Sequence, residues 1–100
     1  MERGGCVYIM TNRNRTTLYT GVTSDLPGRV VEHRDRGYPN SFTARYNCKH
    51  LVYYECFHSI EEAIAREKQI KGGSRADKLK LINQRNPDWK DLFDEEVSKW

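Results

Sequence analysis

The chain has no apolar run approaching the ~20 residues that a membrane-spanning helix needs. Its start, Met1-Glu2-Arg3-Gly4-Gly5, lacks the charged-then-apolar order of a secretory leader, so a cytoplasmic location is the default expectation. Cysteine is scarce: Cys6, Cys48 and Cys56 are widely spaced and form no C-x-x-C pair, which argues against a structural zinc site. The odd count reads as three reduced thiols, with Cys6 and Cys56 in apolar stretches and therefore in the core. No internal repeat or low-complexity segment is visible. A membrane partner is not expected.

What is present is enough for one small core. One hundred residues fit a single domain, and eleven aromatics supply the apolar area that offsets chain entropy. The net charge of +3 says little, but its distribution is uneven. From Gly28 to His50 five Lys or Arg face two acids, and from Arg66 to Arg85 seven face two. From Asn86 to Trp100 the sign reverses, with five acids against two bases. A basic middle with an acidic end points to a polyanion-binding face and a solvated tail. A mixed solvated surface is the plainer reading, and charge alone does not separate the two.

Periodicity predicts strands over Cys6–Met10 and Leu18–Val22, joined by a polar, turn-like segment into an antiparallel hairpin. A loop centred on Arg13-Asn14 would put Tyr8 opposite Tyr19, on one face. Ser24 or Asp25 caps a helix that takes Pro27 in its first turn and ends at Arg36, before Gly37. Leu26 and Val30 form its inward stripe, with Arg29 and His33 at the edge of that stripe. Leu51–Phe57 reads as a third strand. Ser59-Ile60-Glu61-Glu62 opens a second helix that Gly72-Gly73 ends, and a third helix runs from Arg75 or Ala76 to about Arg85. Asn86-Pro87 breaks the chain, and Trp89, Leu92 and Phe93 close onto the core. The expected architecture is α+β: a small three-stranded, mostly antiparallel sheet in the order β-β-α-β-α-α, flanked by helices. Residues 5–93 make one domain and 94–100 an acidic C-terminal tail.

One residue of the second helix is out of place in a core. Ile60, Ala63, Ile64 and Glu67 share a helical face, and an unpaired buried carboxylate is costly to keep ionised. Glu67 is therefore paired with a base, protonated, or bound to a metal; an ion pair, with Arg29 as one partner, is the commoner use. Tyr8 and Tyr19 read singly as core aromatics with wet hydroxyls. Gly21 inside a strand marks a bulge or a close backbone approach. Arg29 and His33, taken alone, are an ordinary helix base and a surface histidine.

Together these residues resemble a known family. Cys6-Val7-Tyr8 and Tyr19-Thr20-Gly21 are similar to the two signature tripeptides of the GIY-YIG nucleases. Arg29 follows eight residues after Gly21, then comes His33, and Arg66-Glu67-Lys68-Gln69-Ile70-Lys71-Gly72 resembles the segment that carries the family's metal-binding glutamate. Asn86-Pro87-Asp88-Trp89 resembles the ending of the small stand-alone branch, similar to the nuclease module of the excision-repair incision subunit. Cys6 and Thr20 depart from the signature's Gly and Ile.

The resemblance implies a metal-dependent endonuclease that hydrolyses phosphodiester bonds, directed by structure rather than sequence, with DNA expected before RNA. It implies catalytic roles for Tyr8, Tyr19, Arg29, His33 and Glu67, and Mg²⁺ or Mn²⁺ on Glu67. Tyr8 would be the base for the attacking water, although a phenol of pKa ~10 needs help at neutral pH, and His33 offers another base or a relay. Arg45 with Phe42 and Tyr46 joins charge to stacking surface. Lys68, Lys71 and Arg75 would track phosphates, Gly21 would admit backbone closely, and Asn86 (or Asn83) would be the family's late asparagine. A protein partner for targeting is compatible with so small a module. Two further readings stay open: a catalytically silent nucleic-acid-binding module on the same fold, and a protein-interaction domain using its acidic tail.

Overall fold

The computed structural model describes residues 4–35 and 45–100. Three strands, β1 (Gly5–Thr11), β2 (Leu18–Thr23) and β3 (His50–Phe57), form one antiparallel sheet in the order β2-β1-β3. Helix α1 (Leu26–Asp35) follows β2, and α2 (Ile60–Gly72), α3 (Arg75–Arg85) and the short α4 (Leu92–Glu95) follow β3. A single 3-10 turn, Val97–Lys99, ends the chain. The expected α+β class and element order hold. The expected end of α1 at Arg36 and Gly37 falls outside the described residues.

β1 is the middle strand and all seven of its residues are buried, which explains why its sequence is apolar throughout rather than alternating. Its side chains divide between two cores. Cys6, Tyr8 and Met10 pack with Leu26 and Val30 of α1, with Leu51 and with Val97. Val7 and Ile9 pack on the opposite face with Val52, Tyr53, Ile70 of α2 and Ile82 of α3. The sheet is thus covered on both sides, and each fully buried aliphatic side chain contributes roughly 1.5–3 kcal/mol. Val52 interrupts the β1–β3 ladder as a bulge: Ile9 pairs with Tyr53 while the next residue, Met10, pairs with Leu51.

The helix ends follow local chemistry. Asp25 Oδ1 accepts the Gly28 amide at 3.2 Å, which favours Asp25 over Ser24 as the cap of α1. Ser59 caps α2 by accepting the Glu62 amide. The full reciprocal capping box occurs instead at α3, between Ser74 and Asp77.

Several expectations need correction. Tyr8 stands opposite Gly21, not Tyr19, and Tyr19 pairs with Met10. The six-residue connection allowed a slip of two, which keeps every side chain on its predicted face. Cys6 and Cys56, read as reduced thiols, are joined by a disulfide, because the β1–β3 register sets them directly opposite with Cα atoms 4.0 Å apart. Cys56 is exposed rather than core, since β3 is an edge strand; the buried Cys48 is the free thiol. Ile64, expected on the inward stripe of α2, is exposed, and the stripe runs through Ala63, Glu67 and Ile70. The acidic tail is exposed at 94–96 and 98–100 but is anchored: Val97 is buried, Asp94 pairs with Arg34 at 3.3 Å, and Glu96 accepts the Tyr54 hydroxyl. No helix among the described residues is long and apolar enough to cross a membrane.

Candidate active site

Tyr8 lies at the centre of the sheet and is 1% exposed. Its ring crosses over Gly21 on β2, where a Cβ would come within 2.5 Å of the Tyr8 hydroxyl. The glycine is what gives the phenol room. Two residues earlier on the same strand, Tyr19 presents its ring on the same face, with the two ring centroids 6.2 Å apart. His33 arrives from α1, two turns after Leu26. Its Nε2 is 2.9 Å from the Tyr8 hydroxyl, and its ring centroid lies 5.8 Å from Tyr8 and 5.5 Å from Tyr19. Three rings from three elements therefore meet in one cluster.

Charge surrounds this cluster. Arg29 sits one turn before His33 and is 38% exposed at its side chain, with Glu32 beside it at 3.9 Å. Burial pushes the Tyr8 phenol well above its ordinary value; Tyr19, Glu32 and Glu67 push the same way, and Arg29 opposes them. Burial, then Arg29, lowers His33 below its usual 6.5, with Glu32 opposing. The pair is thus a protonated phenol beside a neutral imidazole at neutral pH. A neutral Nε2 without a proton can accept from the phenol, which leaves the phenolic oxygen open to accept from another donor.

Glu67 faces inward from α2 with its side chain 15% exposed, close enough to bear on Tyr8 electrostatically. Its partner is Lys71, one turn on, at 3.3 Å, rather than Arg29. The i,i+4 spacing solves the desolvation problem locally. Among the described residues no three His, Cys, Asp or Glu side chains gather as a metal site. A single carboxylate with an aqueous side still suits Mg²⁺, which commonly takes one or two carboxylates and completes its shell with water and phosphate. A hard oxygen donor that remains partly exposed fits such an ion, and Lys71 is the cation the ion would have to displace.

Of the five expected catalytic residues, Tyr8, Tyr19 and His33 meet in ring contact, and Arg29 and Glu67 bear on Tyr8 through their charges. Glu32 joins them unanticipated, although its spacing of three from Arg29 was readable. The outer set divides. Arg45 and Tyr46 are exposed and adjacent, with the guanidinium 5.9 Å from the ring centre; Phe42 lies outside the described residues. Lys68 is exposed, Lys71 is held by Glu67, and Arg75 donates to the Arg15 carbonyl at 3.2 Å. Asn86 is a correction: it is buried, its amide donates to the Val52 and Lys90 carbonyls and its oxygen accepts the Lys90 amide. It fastens the turn after α3 to β3 and presents nothing outward. Asn83 instead accepts the Trp89 indole N–H at 2.8 Å.

Comparison with known proteins places the chain's family and fold. The family model described as the GIY-YIG catalytic domain matches residues 4–83. A UPF0213 protein of Syntrophus aciditrophicus (strain SB) is 40% identical over 82 residues, covering 82% of this chain and 92% of that protein. A UPF0213 protein of Staphylococcus aureus (strain N315) is 41% identical over 69 residues, covering 69% and 83%. The solution NMR structure of a UPF0213 protein from Bacillus halodurans superposes with a TM-score of 0.56 at 28% identity, covering 88% of this chain and 92% of that one.

Proposed function

The chain belongs to the GIY-YIG catalytic domain family, and from that membership we propose that it is a metal-dependent endonuclease hydrolysing phosphodiester bonds in nucleic acid. The observation that carries this reading is the 2.9 Å contact between the Tyr8 hydroxyl and a neutral, buried His33, with Arg29 alongside.

In hydrolysis a water oxygen bonds to phosphorus while the bond to the 3′ oxygen breaks, and one proton must leave the water. Tyr8 is too strongly held in its protonated form to act alone as a base. It acts as a relay: the water donates to the phenolic oxygen, and the phenol passes its own proton to His33 Nε2. Such positioned proton transfer is worth about 10²–10⁴ in rate. Arg29 matches the non-bridging oxygens with its planar fork and offsets the charge they gain. Tyr19 orients the phosphate or the water across from Tyr8. Glu67 would hold Mg²⁺ or Mn²⁺, which when bound stabilises charge on the leaving and non-bridging oxygens.

A module of this size offers little surface for reading bases, so we propose recognition by nucleic-acid structure, with DNA the first substrate to test. The test is a panel of single-stranded, flapped, branched and duplex DNA, with matched RNA, titrated with Mg²⁺ and Mn²⁺. Ion-dependent cleavage of at least one member is expected; binding without cleavage of any member would favour a silent binding module.

A further inference from the structure

Away from the Tyr8 cluster, a polar cleft of about 170 Å³ opens at the β1–β2 turn, lined by Arg13, Arg15, His50 and Trp89 among others. No acidic side chain lines it. Arg13 and Arg15 are exposed, and the Arg15 guanidinium lies over the Trp89 ring, 5.4 Å from its centre. The backbone here is unusual. Among the described residues only three that are not glycine have positive φ, and two of them are Arg15 (60°) and Trp89 (55°). Each ends a turn, Arg15 N donating to Asn12 O and Trp89 N to Asn86 O, at a position glycine would fill without cost. The sequence uses an arginine and a tryptophan instead, and the guanidinium of one lies over the ring of the other.

Both partners are fastened from behind. The Trp89 indole N–H is held by Asn83 at 2.8 Å. Arg15 donates to the Asp88 carbonyl at 3.4 Å, and its own carbonyl accepts from Arg75 at 3.2 Å. His50 is tied to Asp91 at 3.3 Å, so the uncompensated charge of the cleft belongs to the two arginines. A guanidinium already held over an indole loses little freedom when its fork takes two phosphate oxygens.

We infer that this cleft is a second phosphate-binding subsite, holding the backbone of a nucleic-acid strand that flanks the bond at Tyr8. Thr11 at its edge is three residues along β1 from Tyr8, roughly 10 Å at strand spacing, but Trp89 packs on the opposite face of the sheet from Tyr8, so a strand that reaches both passes around the turn end of the sheet. The inference rests on nucleic acid being the ligand, but not on cleavage.

The test is binding of a labelled single-stranded DNA oligonucleotide, and of the duplex made from it, in EDTA across a range of salt. Arg13→Ala and Arg15→Gly are compared with the parent and with Lys99→Ala, an exposed base elsewhere; the glycine keeps the left-handed turn. Each cleft variant is expected to weaken binding several-fold and to reduce the slope of log affinity against log salt by about 1, while Lys99→Ala does neither. In a Trp100→Phe background, DNA should change Trp89 emission, and Arg15→Gly should abolish the change. Unaltered affinity and slope in both cleft variants, or an equal loss in Lys99→Ala, would overturn the subsite. Parent cleavage that neither cleft variant affects rejects the subsite and spares the catalytic reading. A reduced slope in a chain that never cleaves does the reverse.

Discussion

Gly21 lies directly across the β1–β2 ladder from Tyr8, and the phenol occupies the space a side chain there would fill. A methyl at Gly21 would come within 2.5 Å of the Tyr8 hydroxyl and 2.6 Å of the ring carbon that bears it. The contact ties a backbone requirement to the position of a reactive group.

Gly21→Ala should therefore turn the Tyr8 ring away from His33. Overpacking of this kind costs about 1–3 kcal/mol of stability. Cleavage should fall at least about tenfold more than the loss of folded protein explains, because misplaced reacting groups are expensive. Denaturant melts beside single-turnover rates check this; equal rates per folded molecule would refute the steric account.

His33 sets a pH dependence. Its pKa in the folded chain lies below the ordinary 6.5, from burial and then Arg29. On acidification the unfolded chain takes up this proton first, so the contribution of His33 to stability is complete above 6.5 and is lost as pH falls through the lowered folded value. Cleavage that uses neutral His33 as acceptor should fail on the same acid limb. Melting temperature and single-turnover rate, followed against pH in the parent and in His33→Gln, test both: the variant's melting profile should be flatter and its residual rate should lack the limb.

Cys48 is buried and burial raises its thiol to about 11. Iodoacetamide at neutral pH should leave it untouched in the native protein and modify it once denaturant is added. Rapid native labelling at Cys48, located by mass spectrometry, would contradict its placement against Leu26 and Val30.

Asn86→Ala removes two donated hydrogen bonds and one accepted, and leaves the Val52 carbonyl without that donor. A loss of about 3 kcal/mol is expected, with affinity of the folded fraction for DNA unchanged. Weakened binding at full stability would return Asn86 to the nucleic-acid surface.

The legible part of this molecule was local. The buried run of β1, the Ser59 start of α2 and the Gly72-Gly73 stop each follow from residues near one another in the chain. The five residues around Tyr8 were legible through their resemblance to a known family and through one physical anomaly, an acid on an apolar stripe. What escaped depended on partners distant in sequence. The Tyr8–Gly21 pairing turned on a loop long enough to slip by two. The Cys6–Cys56 bridge needed the β1–β3 register. Asn86 looked like a contact residue because nothing in the sequence says that Val52 and Lys90 take its amide. The tail's acids are exposed as their charge suggests, but Val97 was too isolated to announce that it closes the first core.

The central claim is that Tyr8, passing a proton to His33, and Glu67, holding an ion, act in the chemical step rather than in binding. Its most direct test is the single-turnover cleavage rate of Tyr8→Phe and Glu67→Gln at saturating substrate and Mg²⁺, beside their DNA affinities in EDTA. Affinities within about threefold of the parent and rates lower by about 10² or more are predicted. Either variant cutting at the parent's rate, or both losing affinity in proportion to rate, would contradict it.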